Sequence, residues 1–331
     1  MAWIERHWHS ITLVSVLLYP LSLVFQAAVA VRRAAYHMGL LETVRLPAPV
    51  VIVGNLAIGG TGKTPLVLWL ATFLRERGRR PGIVSRGYGG SATGPAPVPP
   101  AGDPSRYGDE PVLLAQRAGC PVWIGADRAA AGQALLAAHP DCDVIVSDDG
   151  LQHYRLARDV EIVVSPAESR NTWMLPAGPL REPPSRSADA DAIVTHERQA
   201  ATRSASTGGP PVFVMTLAGS TFRNLLNPAS SAEADRFRHR NVHAVAGIGH
   251  PQRFFRHLQG LGLDFTAHPF PDHHPFAASD LQFAGADAVL MTEKDAVKCV
   301  AYADEHHWAL RVDAQVDPAL GELVLNKLAR R

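Results

Sequence analysis

From Val50 onward the chain alternates short runs dense in Val, Ile and Ala with longer stretches whose apolar positions recur at helical spacing. Near-continuous apolar runs are what strands buried on both faces require, and helical stretches between them supply the covering layers. The pattern predicts strands over 50–54, 82–85, 122–124, 144–147, 160–164 and 192–194. It predicts helices over 63–77, 109–118 and 128–138, with a short helical piece around Gln152. Residues 198–210 and 227–240 are polar or rich in small residues and read as linkers around one strand, 212–217. A second alternation follows: strand 242–246, helix 251–259, strand 264–267, helix near 277–283, strand 288–291 and helix 318–328. The expected class is α/β, a parallel-sheet domain joined to a second, smaller α/β domain, with an N-terminal membrane-associated helix. The division is 1–35 for that helix, 36–210 for the first domain, 211–240 for a linker and 241–331 for the second domain.

The N-terminal helix comes from the one long departure from this alternation. Residues 11–31 carry no charge, and Arg6 precedes them while Arg32 and Arg33 follow. About 20 such residues suffice to span a bilayer, but Pro20, Gln26 and the hydroxyls of Thr12, Ser15 and Ser22 weaken the case. A span, a helix lying in the interface, a core helix and a leader ending at Ala28-Val29-Ala30 all remain open on these residues.

Composition narrows the partners. A formal net charge of +1 over 331 residues lacks the basic footprint of a nucleic-acid binder, so no nucleic acid is expected. Cys120, Cys142 and Cys299 stand far apart without CxxC spacing, which argues against a zinc site and suits reduced thiols. The stretch 90–105 is rich in Pro, Gly and Ala and reads as a long mobile loop, a candidate lid.

The chemistry is concentrated where strand 50–54 meets helix 63–77. Between them lies Ile58-Gly59-Gly60-Thr61-Gly62-Lys63-Thr64-Pro65. Glycines let backbone N–H groups curl round phosphate oxygens, a lysine adds a point charge, and the threonine hydroxyl ligates Mg2+. The strict motif has glycine five positions before Gly62, where this chain has Ala57. Residues 143–150, Asp-Val-Ile-Val-Ser-Asp-Asp-Gly, form an apolar strand ending in Asp148 and Asp149, which would emerge beside Thr64 as metal ligands. ATP with Mg2+ is the expected cofactor pair.

Eight segments in order then resemble one family closely: VVIVGNLAIGGTGKTP, RPGIVSRGYGG, YGDEPVLLA, DDGLQHYRLARDVEIVV, LPAGPLREP, VHAVAGIGHPQRFF, HPFPDHHPF and VLMTEKDAVKC. The family is tetraacyldisaccharide 4'-kinase, the lipid A 4'-kinase of Gram-negative bacteria. The resemblance implies transfer of the ATP γ-phosphate to the 4'-hydroxyl of a tetraacylated glucosamine disaccharide 1-phosphate at the cytoplasmic face of the inner membrane. A sugar hydroxyl is a weak nucleophile, so the reaction needs a proton acceptor. By resemblance that acceptor is Asp109, acting with a histidine of the second domain, His273, with His274 as the alternative; read alone, Asp109 is an ordinary helix cap. The resemblance also places Arg181 and Glu182 in the active site, the arginine to meet phosphate or substrate charge. Arg86, Arg128, Gln152 and His153 sit at corresponding strand ends, and residues 292–295 end a strand of the second domain. A membrane-associated switch ATPase with a deviant phosphate loop is the rival class, but it requires a lysine where this chain has Ile58.

Overall fold

The computed structural model describes residue 8 and residues 10–165, 171–196 and 208–330. Helix α1 (Leu13–His37) is followed by β1 (Val50–Gly54), α2 (Lys63–Glu76), β2 (Pro81–Ser85), β3 (Ala96–Pro97), α3 (Pro104–Tyr107), α4 (Asp109–Arg117) and β4 (Val122–Ile124). Then come α5 (Arg128–Ala138), β5 (Val144–Asp148), β6 (Val160–Val164), β7 (Ala192–Thr195), β8 (Val212–Ala218), β9 (Thr221–Asn224) and β10 (Ser231–Glu233). The last part holds β11 (Val242–Ala246), α6 (Pro251–Gly260), β12 (Thr266–Pro269), β13 (Ala288–Thr292), α7 (Glu293–Cys299), β14 (His307–Leu310), β15 (Asp313–Val316) and α8 (Pro318–Leu328).

Two sheets organise these elements. The larger runs β15-β8-β7-β6-β1-β5-β2-β4-β3 and the smaller β10-β9-β14-β13-β11-β12. In the larger sheet β1 lies between β5 and β6, parallel to both. All three are fully buried, which explains why Val and Ile dominate them. Val53 pairs with Asp148, so the loop leaving β1 and the carboxylates leaving β5 share one end of the sheet. The carboxyl ends of parallel strands are where such sheets hold ligands.

Several expectations are corrected. Strand 212–218 is no part of a linker: it pairs parallel to β7 in the larger sheet. The chain then leaves for the smaller sheet and returns, because β15 pairs antiparallel to β8 and α8 packs on α2. Leu320, Val324 and Leu328 share one core with Leu66, Leu70 and Leu74. Gly321 lets the helices approach this closely, since a Cβ there would sit 2.3 Å from Phe73. The second unit therefore ends before β15 rather than at residue 331, and β9 and β10, expected in the linker, belong to the smaller sheet. Alternation along the sequence shows strand 212–218 but not β9, β10, β14 or β15, and it does not say which sheet a strand joins.

Smaller differences concern local elements. Residues around Gln152 form turns, and 277–283 shrinks to a single 3-10 turn, Ala278–Asp280. The loop 90–105 contributes the edge strand β3, and Ser91 N and Ala92 N donate to the carbonyls of Ser105 and Arg106 at 3.0 and 2.9 Å. The linker expected over 198–210 lies largely outside the described residues.

Helix α1 lies along the larger domain. Its inner face carries Ser22, whose Oγ donates to the Met174 carbonyl at 2.7 Å, Tyr19 against Trp173, and Tyr36 against Tyr154. Phe25 and Val29 pack on the core between them. Arg33 closes the far end on Asp189 at 2.5 Å. The outer face is Leu13, Leu17, Leu21, Val24 and Val31, all exposed, at i+4, i+4, i+3 and i+7 spacing.

Candidate active site

The loop after β1 reaches Lys63 through Gly62, which holds φ +80°, a left-handed conformation that glycine adopts at no steric cost. Ala57 stands where the strict motif has glycine, and the structure shows why it suffices: the residue is buried in an isolated bridge to Leu180 and needs no positive φ. Gly59 and Gly60 have open space where a Cβ would point, so the loop faces a void. That void is a cleft of about 960 Å3 between the two sheets, lined on one side by Gly59–Pro65 and on the other by residues of the smaller sheet.

Charge inside the cleft is tightly paired. Lys63 Nζ donates to Asn55 Oδ1 at 3.0 Å and lies 3.3 Å from Asp149 Oδ1. Arg181 grips both Asp149 oxygens, at 2.8 and 3.0 Å, and also bonds the Asn55 carbonyl at 3.0 Å and its side-chain oxygen. Burial acts to raise the Asp149 pKa, but Lys63 and Arg181 overcome it and hold the carboxyl well below the usual range. Asp149 keeps φ +50°, a conformation costing a non-glycine residue roughly 1–2 kcal/mol. Asn55 is fully buried and also donates from Nδ2 to Thr61 Oγ1 at 3.0 Å, while its carbonyl accepts from Gln152 at 3.1 Å. It ties the phosphate loop to Arg181 and the β5 turn, a role whose one trace in the sequence is an amide placed directly after β1.

Asp148 behaves differently from its neighbour. Ser85 Oγ donates to its Oδ2 at 3.1 Å, whereas Oδ1 is buried with no hydrogen-bond partner. Burial, reinforced by Glu110, pushes its pKa up to about 7. An orphaned buried carboxylate oxygen is costly unless something positive meets it. Among the described residues no cluster of three or more His, Cys, Asp or Glu forms a preassembled metal cage.

Across the cleft, His273 Nδ1 meets Asp109 Oδ2 at 3.0 Å. Asp109 opens α4 after Gly108, whose φ of +89° and ψ of 151° form a combination essentially confined to glycine. Asp109 is not the cap; its Oδ1 accepts from its neighbour Glu110 N at 2.9 Å. It is buried and does not line the cleft, while His273 does. An ionised carboxylate only accepts, so Nδ1 carries the imidazole proton. Burial works to raise the Asp109 pKa but the His273 hydrogen bond and Lys294 lower it overall; the same hydrogen bond raises His273. His273 too holds a positive φ, +58°. His274 turns away to Asp280 Oδ2 at 3.0 Å and packs between Phe270 and Phe276.

Other sequence candidates are distributed unevenly. Arg181 and Arg86 line the cleft, but Glu182 does not. It points into a buried cluster with the Tyr154 hydroxyl and with Arg186, whose Nε lies 3.7 Å away, because adjacent residues of this extended loop face opposite sides. His153 Nε2 accepts from Arg128 N at 3.2 Å and burial pulls its pKa down to about 4, so it works as a neutral structural group. Arg128 supports the site from behind, donating to the Asp149 carbonyl at 3.2 Å. Thr292, Glu293 and Lys294 line the cleft. The sequence offered no sign of His196, which lines it and whose Nε2 lies 2.9 Å from the Thr61 carbonyl.

A glycine-rich phosphate loop at the end of a parallel strand, a carboxylate strand beside it and a second lobe closing over the cleft define a phosphate-loop phosphotransferase. The family model for tetraacyldisaccharide-1-P 4'-kinase matches residues 14–329. Curated tetraacyldisaccharide 4'-kinases are similar over nearly the whole chain: that of Aromatoleum aromaticum is 53% identical, covering 97% of this chain and 96% of its own. That of Nitrosococcus oceani is 49% identical over 98% and 94%. A solved structure described as the "apo" form of LpxK from Aquifex aeolicus in complex with ATP superposes with a TM-score of 0.82 at 30% identity, covering 96% of this chain and all of the other. The chain belongs to the tetraacyldisaccharide-1-P 4'-kinase family.

Proposed function

We infer that this chain transfers the γ-phosphate of ATP to the 4'-hydroxyl of a tetraacylated glucosamine disaccharide 1-phosphate, the lipid A 4'-kinase reaction. The observation carrying the reading is the meeting of Lys63, Arg181 and the phosphate loop with the Asp109–His273 pair across one cleft. The loop N–H groups and Lys63 hold the β- and γ-phosphates, and Arg181 counters the charge that develops on them. As the 4'-oxygen bonds to the γ-phosphorus and the β–γ bridge breaks to release ADP, the hydroxyl proton passes to the Asp109–His273 pair, whose imidazole lines the cleft and whose Nδ1 is joined to the buried carboxylate. Incubation with ATP and the lipid disaccharide 1-phosphate should yield ADP and a 4'-phosphorylated product in equal amounts. ADP release without phosphorylated lipid would favour the switch-ATPase class instead.

Mg2+ fits the site through Asp148, whose free Oδ1 is unpaired, together with the Thr64 hydroxyl that lines the same cleft. When bound it neutralises phosphate charge. Asp149, expected as a third ligand, is already saturated by Lys63 and Arg181, so its role is to hold those cations. Asp148→Asn should raise the Mg2+ concentration for half-maximal rate by roughly 10-fold or more, the scale of losing a metal-site interaction. An unchanged metal titration would make Asp148 purely structural.

Membrane contact follows from α1. Ser22 and Arg33 on its inner face are bound to the larger domain while Leu13, Leu17, Leu21 and Val24 are exposed on the other, which supports a helix lying on a membrane surface. Burying each such side chain contributes about 1.5–3 kcal/mol at most. The Leu17→Glu, Val24→Glu double variant should shift the protein from membrane pellet to supernatant while ATP binding is unchanged. Undiminished sedimentation with vesicles would place the anchor elsewhere.

A further inference from the structure

The Asp109–His273 contact is one side of a closed ring. His273 Nε2 lies 3.4 Å from Lys294 Nζ, Lys294 Nζ lies 3.0 Å from Glu110 Oε1, and Glu110 N donates to Asp109 Oδ1 at 2.9 Å. Asp109 and Glu110 begin α4 on the larger sheet, whereas His273 and Lys294 belong to the smaller one. The ring thus crosses the cleft twice.

We propose that Lys294 is a positioning residue for the proton-accepting pair, holding His273 in the Nδ1–H form and closing the cleft onto Glu110. An ammonium group only donates, so the imidazole nitrogen facing it must present a lone pair. With Nε2 engaged by Lys294 and Nδ1–H given to Asp109, the imidazole is neutral and its tautomer is fixed from both ends. The role rests on the reading of Asp109 and His273 as that pair.

The surroundings of His273 allow the sign of the effect to be worked out. Asp109 and Glu110 face it from α4, Asp272 from its own loop at 3.9 Å, Lys294 from α7 and Tyr88 from the loop before β3, its ring centroid 5.3 Å away. Lys298 is farther along α7 and is held by Asp295 at 2.9 Å. Asp109 and Asp272 favour a second proton on His273; Lys294 disfavours it and also holds Asp109 ionised. Burial works to lower the Lys294 pKa, but Glu110, Asp109 and Asp272 hold it well above the usual lysine value, so it stays charged over the working range.

Lys294→Met removes the charge and keeps the stem. Both members of the pair should then protonate more readily, moving the acid limb of the kcat profile up by about one pH unit, the scale a single nearby charge sets. On the acid side kcat falls about 10-fold further below wild type than it does on the alkaline plateau. Lys294→Arg keeps the charge and should leave the limb in place. A partly unfolded preparation lowers the amplitude at every pH without moving the limb, so limb position separates positioning from mere stability. A limb unmoved in Lys294→Met, or moved equally in Lys294→Arg, overturns the role. If His273→Ala is crippled while Lys294→Met leaves the limb unmoved, only the Lys294 role falls; a fully active His273→Ala removes the pair and this inference together.

Discussion

Lys63→Ala should abolish measurable phosphoryl transfer, a loss on the order of 10³-fold or more in kcat, while leaving the chain folded. Charge accumulates on the transferring oxygens in the transition state, and Lys63 is the loop's only cationic side chain. Its Nζ is held by Asn55 Oδ1 at 3.0 Å and Asp149 at 3.3 Å, so the ammonium is already positioned before nucleotide arrives. None of those contacts belongs to the hydrophobic cores. Truncation leaves Asp149 paired with Arg181, which limits the structural penalty. Single-turnover phosphate transfer, with circular dichroism as the folding control, measures the effect. Turnover within a few-fold of wild type would dismiss the phosphate-loop assignment.

The elements of this fold were legible wherever burial leaves a periodic trace. β1, β5 and β6 are buried on both faces and read as runs dominated by Val and Ile, and the loop after β1 announced itself because phosphate binding demands glycine, lysine and threonine at fixed spacing. Sheet membership left no such trace. α8 reads as the end of the second unit and β15 is not read as a strand at all, yet β15 pairs into the larger sheet and α8 packs on α2. Site partners were legible only through resemblance. Asp109 alone reads as a helix cap, and what makes it different is a histidine more than a hundred residues away. Asn55, Ser85 and His196 were missed for the same reason: each touches a group that is remote in sequence, Arg181, Asp148 and Thr61 respectively. Glu182 shows the converse error, because adjacency to Arg181 in sequence does not put both side chains on one side of an extended loop.

The two lobes make a unit of the proton-accepting pair, and that unity is measurable. Asp109→Ala and His273→Ala should each lower kcat by about 10²- to 10⁴-fold, the range for losing a general base, with little change in the KM for ATP. Neither side chain belongs to the phosphate loop, so nucleotide binding has no reason to weaken. Removing His273 leaves Asp109 buried without its hydrogen bond from Nδ1, and removing Asp109 leaves His273 with nothing on which to spend its proton. Each deletion therefore disables the other residue, and the double variant should be scarcely slower than either single one. The pH profile carries the same signature. The Asp109 pKa is depressed by His273, so wild-type activity is retained until pH falls through the ionisation of the pair, and in His273→Ala the rate should begin to fall at higher pH. His274→Ala is the internal control, for its imidazole is bound to Asp280 and held between two phenylalanines. Single-variant losses that multiply in the double variant would show that Asp109 and His273 serve separate steps, and a damaging His274→Ala beside a harmless His273→Ala would reassign the partner.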